Sequence, residues 1–258
     1  SKTLEYIRKN CSQEKGGLKD KRTDKFLKAI LPVHIYGHPA DMDAFREIAV
    51  EYKRLRFLDS AQAHGAEYKG KKAGTLGDIA AFSFYFSKNL SAFGEGGAIT
   101  TNNEKYADVI KKLREHGQSD KYRHEIIGYN SRLDELQAAV LRCKLKRLNQ
   151  WNERRRKVAS FYNNALKDLP VEIPKEAEWA THVYHLYVIR SQERDELVKY
   201  LKNNGIGCGM HYPIPSHLQK PMKKYGYEEG DLPETEKIAK EVISLPMHPH
   251  LSREDQCR

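Results

Sequence analysis

Four short apolar runs constrain this chain most. They are Ala29–Tyr36, Leu55–Leu58, Ile79–Phe84 and Gly97–Thr101. Each is too short for a helix, and turn-forming Gly37, Pro39 and Asp59 follow two of them. Helical spacing fills the gaps. Met42, Phe45, Ile48 and Ala49 recur on one helical face after Asp41, a candidate N-cap. A second helix is predicted over residues 104–115. Strands alternating with helices predict an α/β domain with a largely parallel sheet. The first of these runs reads as a buried strand. Residues 1–28 are polar and basic, and read as a helical start followed by a loop.

Between Leu133 and Leu166 there is neither Gly nor Pro. Leu133, Leu136, Val140, Leu141, Leu145, Leu148, Trp151 and Val158 recur at helical spacing. This predicts one long helix or two abutting ones. Asn130 and Ser131 are candidate caps for its start. Beyond it the pattern changes. A strand over 183–189, a helix over 192–203, a Pro-rich loop, a helix over 234–242 and a strand over 243–245 predict a smaller C-terminal α+β domain. The division falls between residues 1–155 and 156–258.

Composition narrows the function classes. The chain has 258 residues with 39% hydrophobic and 31% charged content, which is globular. No apolar run approaches the ~20 residues of a membrane helix, and residues 1–8 lack the apolar core of a signal peptide. Membrane and nucleic-acid partners are therefore not expected. The net charge of +10 is spread along the chain and reads as a solvated surface. Cys11, Cys143, Cys208 and Cys257 stand far apart without C-x-x-C spacing. They imply neither a zinc site nor a disulfide framework, and a reducing cytoplasm is the simplest home.

Four segments carry chemistry. Asp59 begins Asp-Ser-Ala-Gln-Ala-His-Gly at the end of a predicted strand, where open α/β sheets bind ligands. An Asp there also serves as a turn cap. Lys88 lies in Phe82-Ser-Phe-Tyr-Phe-Ser-Lys-Asn-Leu. It is either a desolvated amine nucleophile or a surface lysine. Phe93-Gly-Glu-Gly-Gly97 precedes a strand, so it is a tight turn near the lysine, not a dinucleotide fingerprint. Gly128-Tyr-Asn-Ser-Arg-Leu-Asp-Glu135 opens the long helical stretch, a place that favours an anion. No metal site is expected, because His182 and His185 would face opposite sides of a strand.

In order, these segments together with His116-Gly-Gln resemble the DegT/DnrJ/EryC1/StrS family, pyridoxal-phosphate-dependent nucleotide-sugar aminotransferases. The likeness covers residues 30–255. It implies the three-layer α/β/α fold type I with a smaller C-terminal α+β domain, residues 1–155 being the cofactor-binding part. Lys88 matches the family's covalent cofactor lysine and proton shuttle. Asp59 matches the acid that pairs with the pyridine nitrogen. Gln62 matches the side chain near the ring oxygen, and Ser83 the phosphate-binding serine. Asn130 matches an asparagine that reaches the phosphate of a partner subunit, which implies a homodimer with shared sites. His211 lies in Gly209–His217, which resembles the loop near the sugar.

The implied reaction moves an amino group, usually from L-glutamate, to a keto sugar on a nucleoside diphosphate. Amino-sugar, surface-polysaccharide and antibiotic-sugar synthesis use such enzymes. Residues 116–124 resemble members that act at carbon 3. Lys88 separates the chain from the dehydratase branch, which has histidine there. Phe86 replaces the family's usual Pro and Ser91 its usual Gly, which implies a differently shaped lysine loop. Nothing before Ala29 matches the family's N-terminal phosphate turn. The expectation is therefore a shortened copy, and the alternative function is an inactive homologue with a regulatory or dimerisation role.

Overall fold

The computed structural model describes residues 2–258, with side chains from Leu4 onward. In chain order, helix α1 (Lys2–Asn10) leads into strands β1 (Cys11–Glu14), β2 (Gly17–Asp20), β3 (Lys25–Phe26) and β4 (Ala29–Ile30). Next come α2 (Met42–Glu51), β5 (Leu55–Asp59), β6 (Glu67–Tyr68), β7 (Lys71–Lys72), β8 (Ile79–Ser83), β9 (Gly97–Thr100) and α3 (Glu104–Arg114). The short pair β10 (Gln118–Asp120) and β11 (Arg123–His124) precedes α4 (Glu135–Leu145) and α5 (Leu148–Leu166). The remainder is β12 (Ala180–Thr181), β13 (Tyr187–Arg190), α6 (Arg194–Asn203), α7 (Pro233–Glu241), β14 (Val242–Leu245) and α8 (Arg253–Gln256).

The chain forms two compact units. One holds residues 29–151 and 179–183; the other holds residues 152–178, 184–258 and the N-terminal residues through Lys28. A division at 155/156 groups those N-terminal residues with the first unit, whereas the structure packs them with the second.

The first unit is built on a four-stranded sheet in the order β4-β5-β8-β9, with β4, β5 and β8 parallel and β9 antiparallel. Leu58 on β5 pairs with Ala80 on β8. Both are buried in a cluster with Met42 of α2 and Tyr68, and Phe45 packs against it. The helical face read from the sequence is thus the face that covers the sheet. Burying a side chain such as Leu58 contributes roughly 2 kcal/mol.

The second unit centres on the antiparallel pair β13–β14, where Tyr187 and Ile243 are fully buried. Val158, Ala159 and Tyr162 of α5 and Val198 of α6 complete that core. The Tyr187 hydroxyl donates to Asn163 Oδ1 at 2.7 Å and the Tyr162 hydroxyl to the Pro246 carbonyl at 3.0 Å. Both phenols therefore enter the core with partners.

Five expectations are corrected. The run 29–36 is not a buried strand. Only Ala29–Ile30 forms an end strand of the described sheet, Val33 adds an isolated bridge to Asp59, and Ile35–Gly37 is a 3-10 turn. Ile30, Pro32 and His34 are buried while Leu31, Val33 and Ile35 are exposed. The run 183–189 pairs only from Tyr187, because Tyr184 takes φ 43° and breaks the extended path. Asp41 precedes α2 but makes no cap bond; its carboxylate accepts from the Tyr68 hydroxyl at 2.8 Å. Nor do Asn130 and Ser131 cap a helix. The N-cap of α4 is Asp134, and Asn130 pairs with Glu115 in a β-bridge. Backbone bonds from Tyr129 to Leu113, His116 to Tyr129 and Ser131 to Arg114 hold this segment extended along the end of α3. The long helical stretch is two helices, α4 and α5, and residues 2–28 form a helix and a three-stranded antiparallel sheet.

Two glycines of the motifs have a backbone reason. Gly117 has φ +79°, and a Cβ there would lie 1.7 Å from the Ile126 carbonyl oxygen. A Cβ on Gly128 would lie 2.1 Å from the Gly117 nitrogen. The backbones of His116-Gly-Gln and Gly128-Tyr-Asn touch where no side chain fits. Gly117→Ala is expected to destabilise the first unit by about 2–4 kcal/mol, read as a lower urea midpoint at an unchanged slope.

Candidate active site

The site residues sit where two parallel strands end. Asp59 is the last residue of β5 and Ser83 the last of β8, so both lie at the carboxyl edge of the sheet. Open α/β sheets place ligands there because backbone and loops diverge beyond the strand ends. After Asp59 the chain turns sharply. The Asp59 carboxylate accepts from the Ala61 N–H at 3.0 Å. The strand-end and turn-cap readings are thus both present in one residue. Gln62 is 8% exposed, and its Oε1 accepts from the Tyr36 N–H at 2.5 Å. Tyr36 holds φ 59°, so the preceding loop spends a left-handed residue to present that N–H.

After Ser83 the chain forms the lysine loop. The Ser83 Oγ accepts from the Tyr85 N–H at 3.2 Å, and the Lys88 N–H donates to the Tyr85 carbonyl at 2.9 Å. Five hydrogen bonds and an apolar contact then fix the loop. Asn89 Nδ2 donates to the Val183 carbonyl at 3.0 Å. Leu90 and Ala92 are buried against Leu141 of α4 and Leu148. Lys144 Nζ donates to the Ser91 carbonyl at 2.8 Å and its hydroxyl at 3.1 Å. Gln137 bonds the Phe93 backbone through both ends of its amide, at 2.8 and 3.1 Å. Lys88 therefore stands on a turn with little freedom.

Electrostatics prepare the amine. Burial lowers the Lys88 pKa from its usual value, and the Asp59 charge partly opposes this. A neutral amine is the nucleophilic form. Beside it lies His64, 3% exposed, its ring tilted against Phe82 at 5.4 Å and Phe84 at 5.8 Å. Burial first, then the Lys88 charge, pushes the His64 pKa down to about 4, against a hydrogen bond with the Ser83 backbone. His64 stays neutral at pH 7. Sequence reading quoted it inside the motif and gave it no role. Its position five residues after Asp59, next to Gly65, was the only signal.

The structure thus brings Asp59, Gln62, His64, Ser83 and Lys88 together at one sheet edge of the first unit. Asn130 is exposed, and its Oδ1 accepts from Arg132 Nε at 3.1 Å. His211 belongs to the second unit, where its Nδ1 meets the Ser244 hydroxyl at 2.7 Å. Among the described residues no three His, Cys, Asp or Glu side chains are placed to hold a metal ion, and no helix is long and apolar enough to cross a membrane.

A sequence profile of the DegT/DnrJ/EryC1/StrS aminotransferase family matches residues 19–258. The chain belongs to this family. A "Pleiotropic regulatory protein" of Geobacillus stearothermophilus is 48% identical over 232 residues, covering 89% of this chain and 62% of the relative. The dTDP-3-amino-3,4,6-trideoxy-alpha-D-glucose transaminase of Streptomyces venezuelae is 47% identical over 232 residues, covering 90% and 61%. The crystal structure of S. venezuelae DesV in complex with a ketimine intermediate matches with a TM-score of 0.87 at 47% identity, covering 90% of this chain and 62% of that one. The three-layer α/β/α fold and the family reading of the sequence are borne out. The chain spans about 62% of the length of these curated relatives.

His34 shares the behaviour of His64: burial lowers its pKa to about 4. Above pH 6.5 both imidazoles are neutral folded and unfolded, and neither costs stability. Below it the unfolded rings take a proton that the folded rings refuse until about pH 4. Stability therefore falls as pH drops through that window, by up to roughly 3 kcal/mol per histidine. Urea midpoints measured across the window are expected to decline steeply in the native chain. In His64→Phe the slope should shrink by about one proton.

Proposed function

We propose that the protein transfers an amino group from an amino acid to carbon 3 of a keto sugar carried on a nucleoside diphosphate, using pyridoxal phosphate. One observation carries the reading: the desolvated Lys88 amine lies within the field of the Asp59 carboxylate at the carboxyl edge of a parallel sheet in a chain of this family. Family members use pyridoxal phosphate, and the S. venezuelae relative's name supports carbon 3.

The residues present fit this cofactor. Its aldehyde needs a neutral amine, and burial disposes Lys88 to that state. Its ring nitrogen needs an anion, and the Asp59 carboxylate is on hand with one oxygen already fixed by Ala61. When bound, the cofactor supplies an electron-accepting ring and an aldehyde that can carry the amine. Asp59 holds the proton on the ring nitrogen. Gln62, fixed through Tyr36, orients the ring oxygen, and the Ser83 hydroxyl donates to the phosphate. Lys88 Nζ would be the base that takes and holds the proton of the substrate carbon. His64 stays uncharged and so adds no second cation beside Lys88. Asn130 serves the phosphate of a second copy of the chain, and His211 contacts the sugar.

A second reading is a homologue that binds without turnover and acts in regulation. The name of the G. stearothermophilus relative favours it. Two experiments separate the possibilities. Adding pyridoxal phosphate is expected to raise a visible absorbance band that Lys88→Ala abolishes at unchanged circular dichroism; a native chain with no band has no such cofactor site. Given the band, glutamate with a 3-keto sugar nucleotide should yield 2-oxoglutarate. A band without turnover supports the regulatory reading.

A further inference from the structure

A hollow of about 500 Å³ opens at the other end of the same strands. Arg56, near the start of β5, and Asp78, just before β8, line it together with Asp43, Arg46, Lys69 and Lys71. At ~3.3 Å per residue, about 10–16 Å of strand separates it from Asp59 and Ser83. Reacting groups in such sheets gather at the carboxyl ends. An occupant here is therefore not the reacting one.

The charges do not cancel. Asp78 is occupied by Arg56, whose Nε and guanidinium nitrogen donate at 3.3 and 3.1 Å and whose backbone N–H donates at 2.8 Å. Asp43 is occupied by Lys69 Nζ at 2.6 Å. The neighbouring Glu67 is taken by Lys72 at 2.6 Å. Arg46 and Lys71 also line the hollow and, among the described residues, form no salt bridge, although Arg46 adds to the field that lowers the Asp43 pKa after its pairing with Lys69. Arg46 and Lys71 are both exposed, and the backbone of Arg46 is anchored by α2, where Met42 one turn earlier is buried under the sheet. The start of α3 also borders the hollow, but Asn103 already caps it.

We propose that this hollow binds a dianionic phosphate monoester, held by Arg46 and Lys71. The guanidinium fork of Arg46 matches two phosphate oxygens, and Lys71 supplies a second point charge. The volume exceeds a bare phosphate and admits a sugar-sized body against the flank of Tyr106. The inference stands apart from the aminotransferase reading, since it uses none of that site's residues.

Calorimetric titration with glucose 1-phosphate tests it, on the native chain, on R46A/K71A and on Ser83→Ala, with inorganic phosphate and glucose as comparators. The native chain should bind glucose 1-phosphate saturably, more tightly than inorganic phosphate, and more weakly as salt rises. R46A/K71A should lose at least about tenfold in affinity at unchanged circular dichroism, and Ser83→Ala should bind as the native chain does. Equal affinity in R46A/K71A, loss in Ser83→Ala, or no saturable binding at millimolar ester would each overturn the proposal. Inorganic phosphate binding as tightly as the ester would overturn the monoester assignment.

Discussion

The parallel register of β5 on β8 sets Leu58 against Ala80 and Asp59 against Ala81. A slip of one residue would turn Leu58 away from Met42 and Tyr68 and swing Asp59 to the opposite face. The hydrophobic contact and the placement of the acid are one constraint. Burial of Leu58 fixes the register, the register fixes where both strands end, and the strand ends deliver Asp59 and Ser83 to the same edge. Lys88 follows because its loop departs from Ser83 and is bound on its far side to α4 and Val183.

The interior of that edge has low polarity, which couples its charges. Burial makes the Lys88 ammonium costly, and the Asp59 carboxylate restrains the effect. Burial first, and the Lys88 charge second, keep a proton off His64. Burial thus sets the states of two groups at this edge, disposing Lys88 toward the free amine and keeping His64 a neutral ring.

What could be read in the sequence tracks how local its cause is. The strands at 55–58, 79–84 and 97–101 and the face of α2 follow from short-range patterning, and they stand in the structure within a residue or two. The motifs that carry chemistry were legible as separate segments; only pairing of β5 with β8 shows five of their residues at one edge. Long-range causes stayed hidden. Asn130 has a cap-like composition, yet bonds to the end of α3 outcompete the cap. Tyr184 sits in a β-branched, aromatic run, yet takes a left-handed turn. The pairing of β1–β3 depends on antiparallel contacts within a polar stretch where hydrophobic period gives no signal.

Ser91, in place of the family's usual glycine, shows how a local departure is absorbed. A glycine allows a loop to bend where side chains do not fit. Here the side chain is used instead. Its hydroxyl and carbonyl both accept from Lys144 Nζ, which lies 4.5 Å from the centre of the Phe93 ring. Burial lowers the Lys144 pKa, so this ammonium has exchanged water for two oxygens and an aromatic face. The exchange ties α4 to the residue three positions after Lys88. Rigidity that a tight glycine turn supplies through backbone geometry is supplied in this chain by a partly buried cation.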